Sequence, residues 1–308
     1  MNNQTNTKEN SPLVSVIVLN WNNYQDTTKC LESLSNAEYP NLRVTVVDNG
    51  STDQSGKMLK KEHTWCSYIF NDENLGFAAG TNVGIQNALA DGAEYILLLN
   101  NDTIVRPDFL PPLVRSAEAR ENPLAVSGHI FDPEGSYWYC GGETIPQLAK
   151  AKKWDCDEVS KSEEYVTEYV TGAMVLLPKD TIKNLDLLNE DYYFGMEDLE
   201  MSYNILKSGG SIVVNPNSEI IHKESSSSGN QSPFTYYNAT KNRIHFGLKN
   251  LPPTRQAIFF VYFIITRIVR IIQWLAQGRY DLIQAVILGS WHYMIDKTKS
   301  PESFQNEF

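Results

Sequence analysis

The stretch YILLLNNDT at residues 95–103 limits what this chain can fold into more than any other. Ile96, Leu97, Leu98 and Leu99 follow one another without polar alternation. Such a run suits a strand covered on both faces, as in a parallel sheet flanked by helices. It then stops at two amides and a carboxylate, Asn100, Asn101 and Asp102. Ligands of open α/β sheets bind in the crevice outside the carboxyl ends of the strands, so this cluster is expected to hold something.

The rest of the chain repeats the pattern. LVSVIVLNWN (13–22) reads as a first buried strand, 25–37 as a helix with Cys30, Leu31 and Leu34 at helical spacing, and LRVTVVDNGSTD (42–53) as a second strand ending in a carboxylate and a turn. A short strand near 67–70, a Gly-rich segment, a helix over about 80–90 and the strand at 95–99 follow. Strands alternating with helices imply an α/β fold whose central sheet is mostly parallel and flanked by helices. Further on, the spacing predicts a helix over 109–121 and a strand over 124–130. Residues 132–165 read as a mobile loop or hairpin over the site. Strands at 169–180 and 211–216 bracket a helix at 196–209. The expected organisation is a disordered start (1–11), a catalytic domain (12–250) and a C-terminal amphipathic helical region (251–308).

A net charge of -11 and a pI near 5.0 argue against a nucleic-acid binder, because phosphate neutralisation needs surplus Lys and Arg. Cys30, Cys66, Cys140 and Cys156 form no CxxC pair, which indicates neither a zinc site nor a disulfide framework and fits a reducing compartment. The polar opening MNNQTNTKEN lacks the apolar core of a secretory signal, so a cytoplasmic protein is expected.

Four groups of residues carry candidate chemistry. Asp48 and Asp102 each end an apolar strand; in one parallel sheet both would open into one crevice, where Mg²⁺ or Mn²⁺ with a nucleoside diphosphate is the natural guest, or each could simply cap a turn. NLGFAAGTNVGI (74–85) places Gly76, Gly80 and Gly84 before and within a helix, where backbone could approach a ligand, although the spacing is neither a P-loop nor a dinucleotide fingerprint. Glu197 and Asp198 open a helix behind an aromatic segment and read either as dipole-favoured acids or as a general base. His222 comes directly after an apolar strand and is either a satisfied histidine or a metal ligand.

Taken in order, VSVIVLNWN, VVDNGSTD, NLGFAAGTNVGI, LLLNNDTIVRPDFL, TGAMVL, FGMEDLEMSY and IIHKESSSSG resemble the inverting family-two glycosyltransferases of GT-A fold, in their rhamnosyltransferase-like branch. The resemblance covers roughly residues 12 to 246. It implies that Trp21 and Asp48 meet the nucleotide base and ribose, that Gly76, Gly80 and Asn82 contact the donor, and that Asn100-Asn101-Asp102 is the branch's form of the DxD motif. It also implies that His222 joins Asp102 on a divalent cation, Mn²⁺ or Mg²⁺, and that Asp198 is the catalytic base. Two departures stand out: Asn100 rather than Asp opens the DxD motif, and Asn204 stands where relatives often carry Arg. The implied reaction moves a sugar from a UDP- or dTDP-sugar, dTDP-rhamnose among them, to a hydroxyl of a glycan or lipid-linked acceptor. A non-catalytic sugar-nucleotide-binding module is the alternative. A nucleotidyltransferase would need a basic loop after the first strand, and LNWNNYQD offers no Lys or Arg.

Residues 255–299 are apolar, aromatic and locally basic, but the uninterrupted apolar run, 257–266, is only ten residues. A run that short predicts a helix lying on a membrane surface through 255–295, at the inner face of the cell membrane, with Trp274 near the interface, rather than a span. Packing on the catalytic domain or against a second copy, as a homo-oligomer, is the other reading.

Overall fold

A computed structural model describes residues 11–121, 124–185, 188–224 and 232–295. The expected disordered start up to residue 10, the 225–229 half of the last motif and the region past 295 lie outside the described residues.

The first half follows the predicted alternation and adds a helix, α2, that the sequence reading did not place: β1 (Val14–Asn20), α1 (Tyr24–Leu34), β2 (Leu42–Asn49), α2 (Ser55–Glu62), β3 (Ser67–Asn71), α3 (Phe77–Ala90) and β4 (Tyr95–Asn100). β1 lies parallel between β2 and β4, with Asn20 opposite Asp48 and Leu19 opposite Asn100, so the polar ends of three strands share one edge. The unalternating runs divide between two cores. Val14, Val16, Val18, Leu97 and Leu99 pack towards α1, whereas Ile17, Val47, Ile96 and Leu98 pack towards α3. Burial on both faces is why these strands carry no polar alternation.

The second half contains β5 (Thr103–Val105), α4 (Leu110–Glu118), β6 (Leu124–Phe131), β7 (Tyr137–Tyr139), β8 (Gly142–Ile145), β9 (Lys150–Lys153), β10 (Tyr165–Thr167), β11 (Met174–Pro178), α5 (Lys179–Leu185), α6 (Glu197–Lys207) and β12 (Ser211–His222). The main sheet runs β10-β12-β6-β11-β4-β1-β2-β3, with β5 on β12 and β7 on β6. β1, β2, β3, β4, β6 and β12 run one way. β11 enters antiparallel between β4 and β6.

Two expectations are corrected here. The strand expected to end at Pro216 continues to His222, through a bulge between Asn215 and Glu219 that absorbs the proline's missing N–H. Of the loop or hairpin expected over 132–165, the structure shows β7 and a separate β8–β9 hairpin, and Cys140 and Cys156 at the base of that hairpin are disulfide-bonded, against the expectation of no disulfide. Their separation of 16 residues matches no motif, which is why the sequence did not pair them.

The C-terminal helices are α7 (Pro233–Asn250), α8 (Pro253–Ala276) and α9 (Tyr280–Ile295). At 24 residues α8 is long and apolar enough, by length and composition, to cross a membrane. The ten-residue limit fails because Arg267 does not break the helix: its guanidinium lies over the Phe263 ring, 5.1 Å from the centroid. Trp274 is buried, edge-on to Tyr236 and against Leu282, not at an interface.

Candidate active site

Asp102 follows β4 directly, and the antiparallel pairing of β5 with β12 sets His222 opposite Thr103. The β12 bulge is thus what carries the imidazole to the carboxylate. His222 Nε2 lies 3.1 Å from Asp102 Oδ1 and 3.4 Å from Asn100 Nδ2. Both Asp102 and His222 side chains are less than a tenth exposed, at 9% and 6%. His222 Nδ1 is buried without a hydrogen-bond partner.

A carboxylate and an imidazole beside an amide form a mixed oxygen and nitrogen set that fits Mn²⁺ or Mg²⁺. Among the described residues no third His, Cys, Asp or Glu joins them, so the remaining ligands would have to be phosphate oxygens and water.

The residues expected to touch the donor separate into two groups. Trp21 stands 42% exposed at the end of β1, and Asn100 is half-buried beside His222. The others face protein. Asp48 is buried, accepting from Asn20 Nδ2 (2.8 Å) and from the Ser51 N–H (3.1 Å), which ties β1 to the turn before α2. Asn82 is buried; it donates to Leu188 O and Glu190 Oε1, both at 2.8 Å, and accepts from the Leu188 N–H. Asn101 donates to Thr27 Oγ1 at 2.8 Å. A Cβ on Gly76 would meet Tyr193 O at 2.6 Å, and one on Gly80 would meet Asn49 Nδ2 at 2.9 Å. These glycines let α3 sit close to its own protein.

Asp198 sits in the first turn of α6. It accepts the Tyr169 hydroxyl at 2.5 Å on Oδ2 and the Leu199 N–H at 2.7 Å on Oδ1. Burial raises its pKa above the ordinary carboxylate value, while the Tyr169 hydroxyl, backbone N–H groups and the charge of Lys153 oppose that rise. Burial also raises Glu197, and the charge on Asp198 raises it further, to about 8. Tyr169 is itself held by Tyr139, whose hydroxyl donates to Tyr169 O at 2.6 Å. The sequence reading missed Tyr169, Trp138 and Lys153 because they lie in the irregular stretch or just past it. Their aromatic and cationic character there was the available signal.

Asn204, at the departure from the family pattern, faces elsewhere. With Glu197, Glu200 and Met201 it lines a cavity of about 680 Å³ between α3, α5 and α6, which Asp102, Asp198 and His222 do not line.

Residues 15–176 match the family model described as glycosyl transferase family 2. An uncharacterised glycosyltransferase of Haemophilus influenzae is 26% identical over 208 residues, spanning 65% of this chain and 77% of the relative. The N-acetylglucosaminyl-diphospho-decaprenol L-rhamnosyltransferase of Mycobacterium tuberculosis is 23% identical over 222 residues, spanning 65% and 72%. Among solved structures, GalNAc-T7 with UDP, GalNAc and Mn²⁺ aligns with a TM-score of 0.62 at 18% identity, over 77% of this chain and 48% of that one. The mannosyltransferase PcManGT of Pyrobaculum calidifontis with GDP-Man and Mn²⁺ aligns with a TM-score of 0.56 at 15% identity, over 94% and 89%. At these identities the structural likeness is one of fold, the GT-A transferase fold. The family match spans more than half of the 308 residues and includes the strand ends at Asp48 and Asn100 to Asp102, so the chain belongs to glycosyl transferase family 2.

Proposed function

We propose that this chain transfers a sugar, with inversion at the anomeric carbon, from a nucleoside diphosphate donor to a hydroxyl of a glycan or lipid-linked acceptor in cell-surface polysaccharide assembly. The observation that carries this reading is the meeting of Asp102 with His222, 3.1 Å apart, at the strand edge served by the half-buried Asp198. In the reaction the acceptor oxygen forms a bond to the anomeric carbon as the bond to the diphosphate oxygen breaks, and the departing diphosphate keeps the electron pair. Asp198 takes the hydroxyl proton; its raised pKa favours that transfer, and Tyr169 fixes its orientation. Asp102 and His222 would hold a divalent cation, Mn²⁺ or Mg²⁺, which when bound would neutralise charge developing on the diphosphate. The segment from β7 through β9 walls the site from water. Trp21 and Asn100 serve the donor, Trp21 through its exposed ring.

The donor is a UDP- or dTDP-sugar. The mycobacterial rhamnosyltransferase supports dTDP-rhamnose, and its decaprenol-linked acceptor supports a lipid-linked one. An enzyme meeting such an acceptor works in the cytoplasm at the inner face of the cell membrane, and the apolar outer face of α8 and α9 supports surface attachment.

The test is calorimetric titration of the purified protein with UDP, dTDP and GDP, each with Mn²⁺ and with EDTA. Metal-dependent binding of one nucleotide is expected and would narrow the donor to its sugars. Well-folded protein that binds none of the three would overturn the reading in favour of a non-catalytic module.

A further inference from the structure

The β8–β9 hairpin brings a side-chain cation to a site whose proposed mechanism assigns none to the protein. Trp138, on β7, meets the His222 ring edge-on with centroids 4.4 Å apart. Its indole N–H donates to Glu224 Oε2 at 3.0 Å, which fixes the ring plane. Lys153, the last residue of β9, holds its Nζ 3.1 Å from the centroid of the same ring. The ammonium also lies within the field of Asp198 and Glu224. One aromatic ring therefore touches the metal-binding histidine and carries a cation that faces the base. The pairing of Lys153 with Gly142 and the Cys140–Cys156 disulfide secure the hairpin end that holds this lysine.

We propose that Lys153, seated on Trp138, is a diphosphate-binding residue of this site, receiving the departing nucleoside diphosphate beside His222. The inference rests on the transferase reading above and adds to it a residue from outside the metal pair. The chemistry is that of a compact ammonium against phosphate oxygens. A mobile cation suits the task, because a lysine resting on an aromatic face can leave it for a stronger anionic partner and return once the product dissociates. It also supplies positive charge beside Asn100, a neutral amide.

A diphosphate can also arrive on the acceptor, as the carrier's own headgroup, so the experiment has two arms. In the first, UDP, dTDP and GDP are titrated with Mn²⁺ into the parent protein and into Lys153→Ala and Lys153→Arg. In the second, geranyl diphosphate is titrated into the same proteins already saturated with the nucleotide that binds. Lys153→Ala should weaken the nucleoside diphosphate by roughly ten- to a hundredfold, the range for a lost hydrogen bond to a charged group, and Lys153→Arg should recover most of it. The parent nucleoside, which has no phosphate, should bind Lys153→Ala and the parent protein alike, which a merely structural defect would not allow. A loss confined to geranyl diphosphate would move the residue to the acceptor side and overturn its assignment to the departing group. Equal binding by Lys153→Ala in both arms would remove the diphosphate role altogether. If the parent protein binds no nucleoside diphosphate, the transferase reading itself falls and this inference with it.

Discussion

Glu197 and Asp198 are neighbouring carboxyls in one partly buried place, and both hold protons more tightly than they would in an unfolded chain. The folded state therefore binds more protons than the unfolded one between the ordinary carboxylate range and about 8, the value to which Glu197 is raised. Stability from this pair is fully present at low pH and is lost as pH rises through that window. Glu197→Gln should flatten the fall in melting temperature between pH 5 and pH 8; an unchanged slope would show that the burial is not felt. For catalysis, Asp198→Asn should keep nucleotide affinity while turnover drops by about 10²–10⁴, measured as sugar transfer under saturating donor. The Tyr169 hydroxyl holds the Asp198 pKa down, so Tyr169→Phe should move the acid limb of the kcat/KM profile to higher pH. The positions of Asp102 just past a strand and of Asp198 at a helix start were legible in the sequence because each borders a strongly patterned element. Asp48, Gly80 and Asn82 read the same way, yet their side chains or missing side chains turn into the protein. Periodicity locates an element; it does not say whether a neighbouring segment covers a given face.

Among the elements, β12 decides whether the site exists. Its first half pairs parallel with β6, and the bulge after Asn215 resets the register so that Ile220, Ile221 and His222 pair with β5. Gly128 on β6 makes room for that bulge, because a Cβ there would lie 2.2 Å from Ser218 O. Gly128→Ala should displace the second half of β12 and weaken Mn²⁺-dependent nucleotide binding, although residue 128 touches no ligand. Retained metal dependence with an unchanged affinity would mean that the bulge can shift without moving His222. Packing of α3 makes a parallel case: a Cβ on Gly84 would lie 2.5 Å from Ile17 Cγ2, so Gly84→Ala should cost about 1–3 kcal/mol in denaturant unfolding through overpacking. Most of the βαβ half of the fold was legible because β1, β2, β4, α1 and α3 carry clear apolar runs, whereas α2 buries only Leu59 among its large apolar side chains and was not placed from sequence. The second half was less so. Pro216 looks like a strand end unless the bulge is known, and β7 to β10 are three- and four-residue strands too short to show a period.

For the whole molecule, the outer face of α8 is the feature that a soluble monomer leaves unexplained. Ile258, Val261, Ile265, Ile268, Ile272 and Leu275 are each at least half exposed and recur at alternating spacings of three and four. Phe259, Phe263 and Trp274 on the opposite side bury themselves against the rest of the chain. A helix apolar on all sides lies either inside protein or in lipid. The spacing alone would also suit a coiled-coil seam with a second copy. Positions flanking such a seam normally carry charge, however, and here Ile264 and Val269 widen the apolar strip instead. Ile287, Trp291 and Met294 extend exposed apolar surface onto α9. A broad apolar surface of this kind fits a bilayer surface better than one partner helix. The net charge of -11 would repel the body of the protein from anionic lipid, so attachment to such a surface would have to come from this apolar face. The full-length protein should therefore float with phosphatidylglycerol-containing vesicles, and the double change Ile265→Glu with Ile268→Glu should leave it in the soluble fraction with nucleotide binding intact. A parent protein that stays soluble but runs at twice its mass by light scattering, and returns to monomer on the same double change, would assign the face to a second copy.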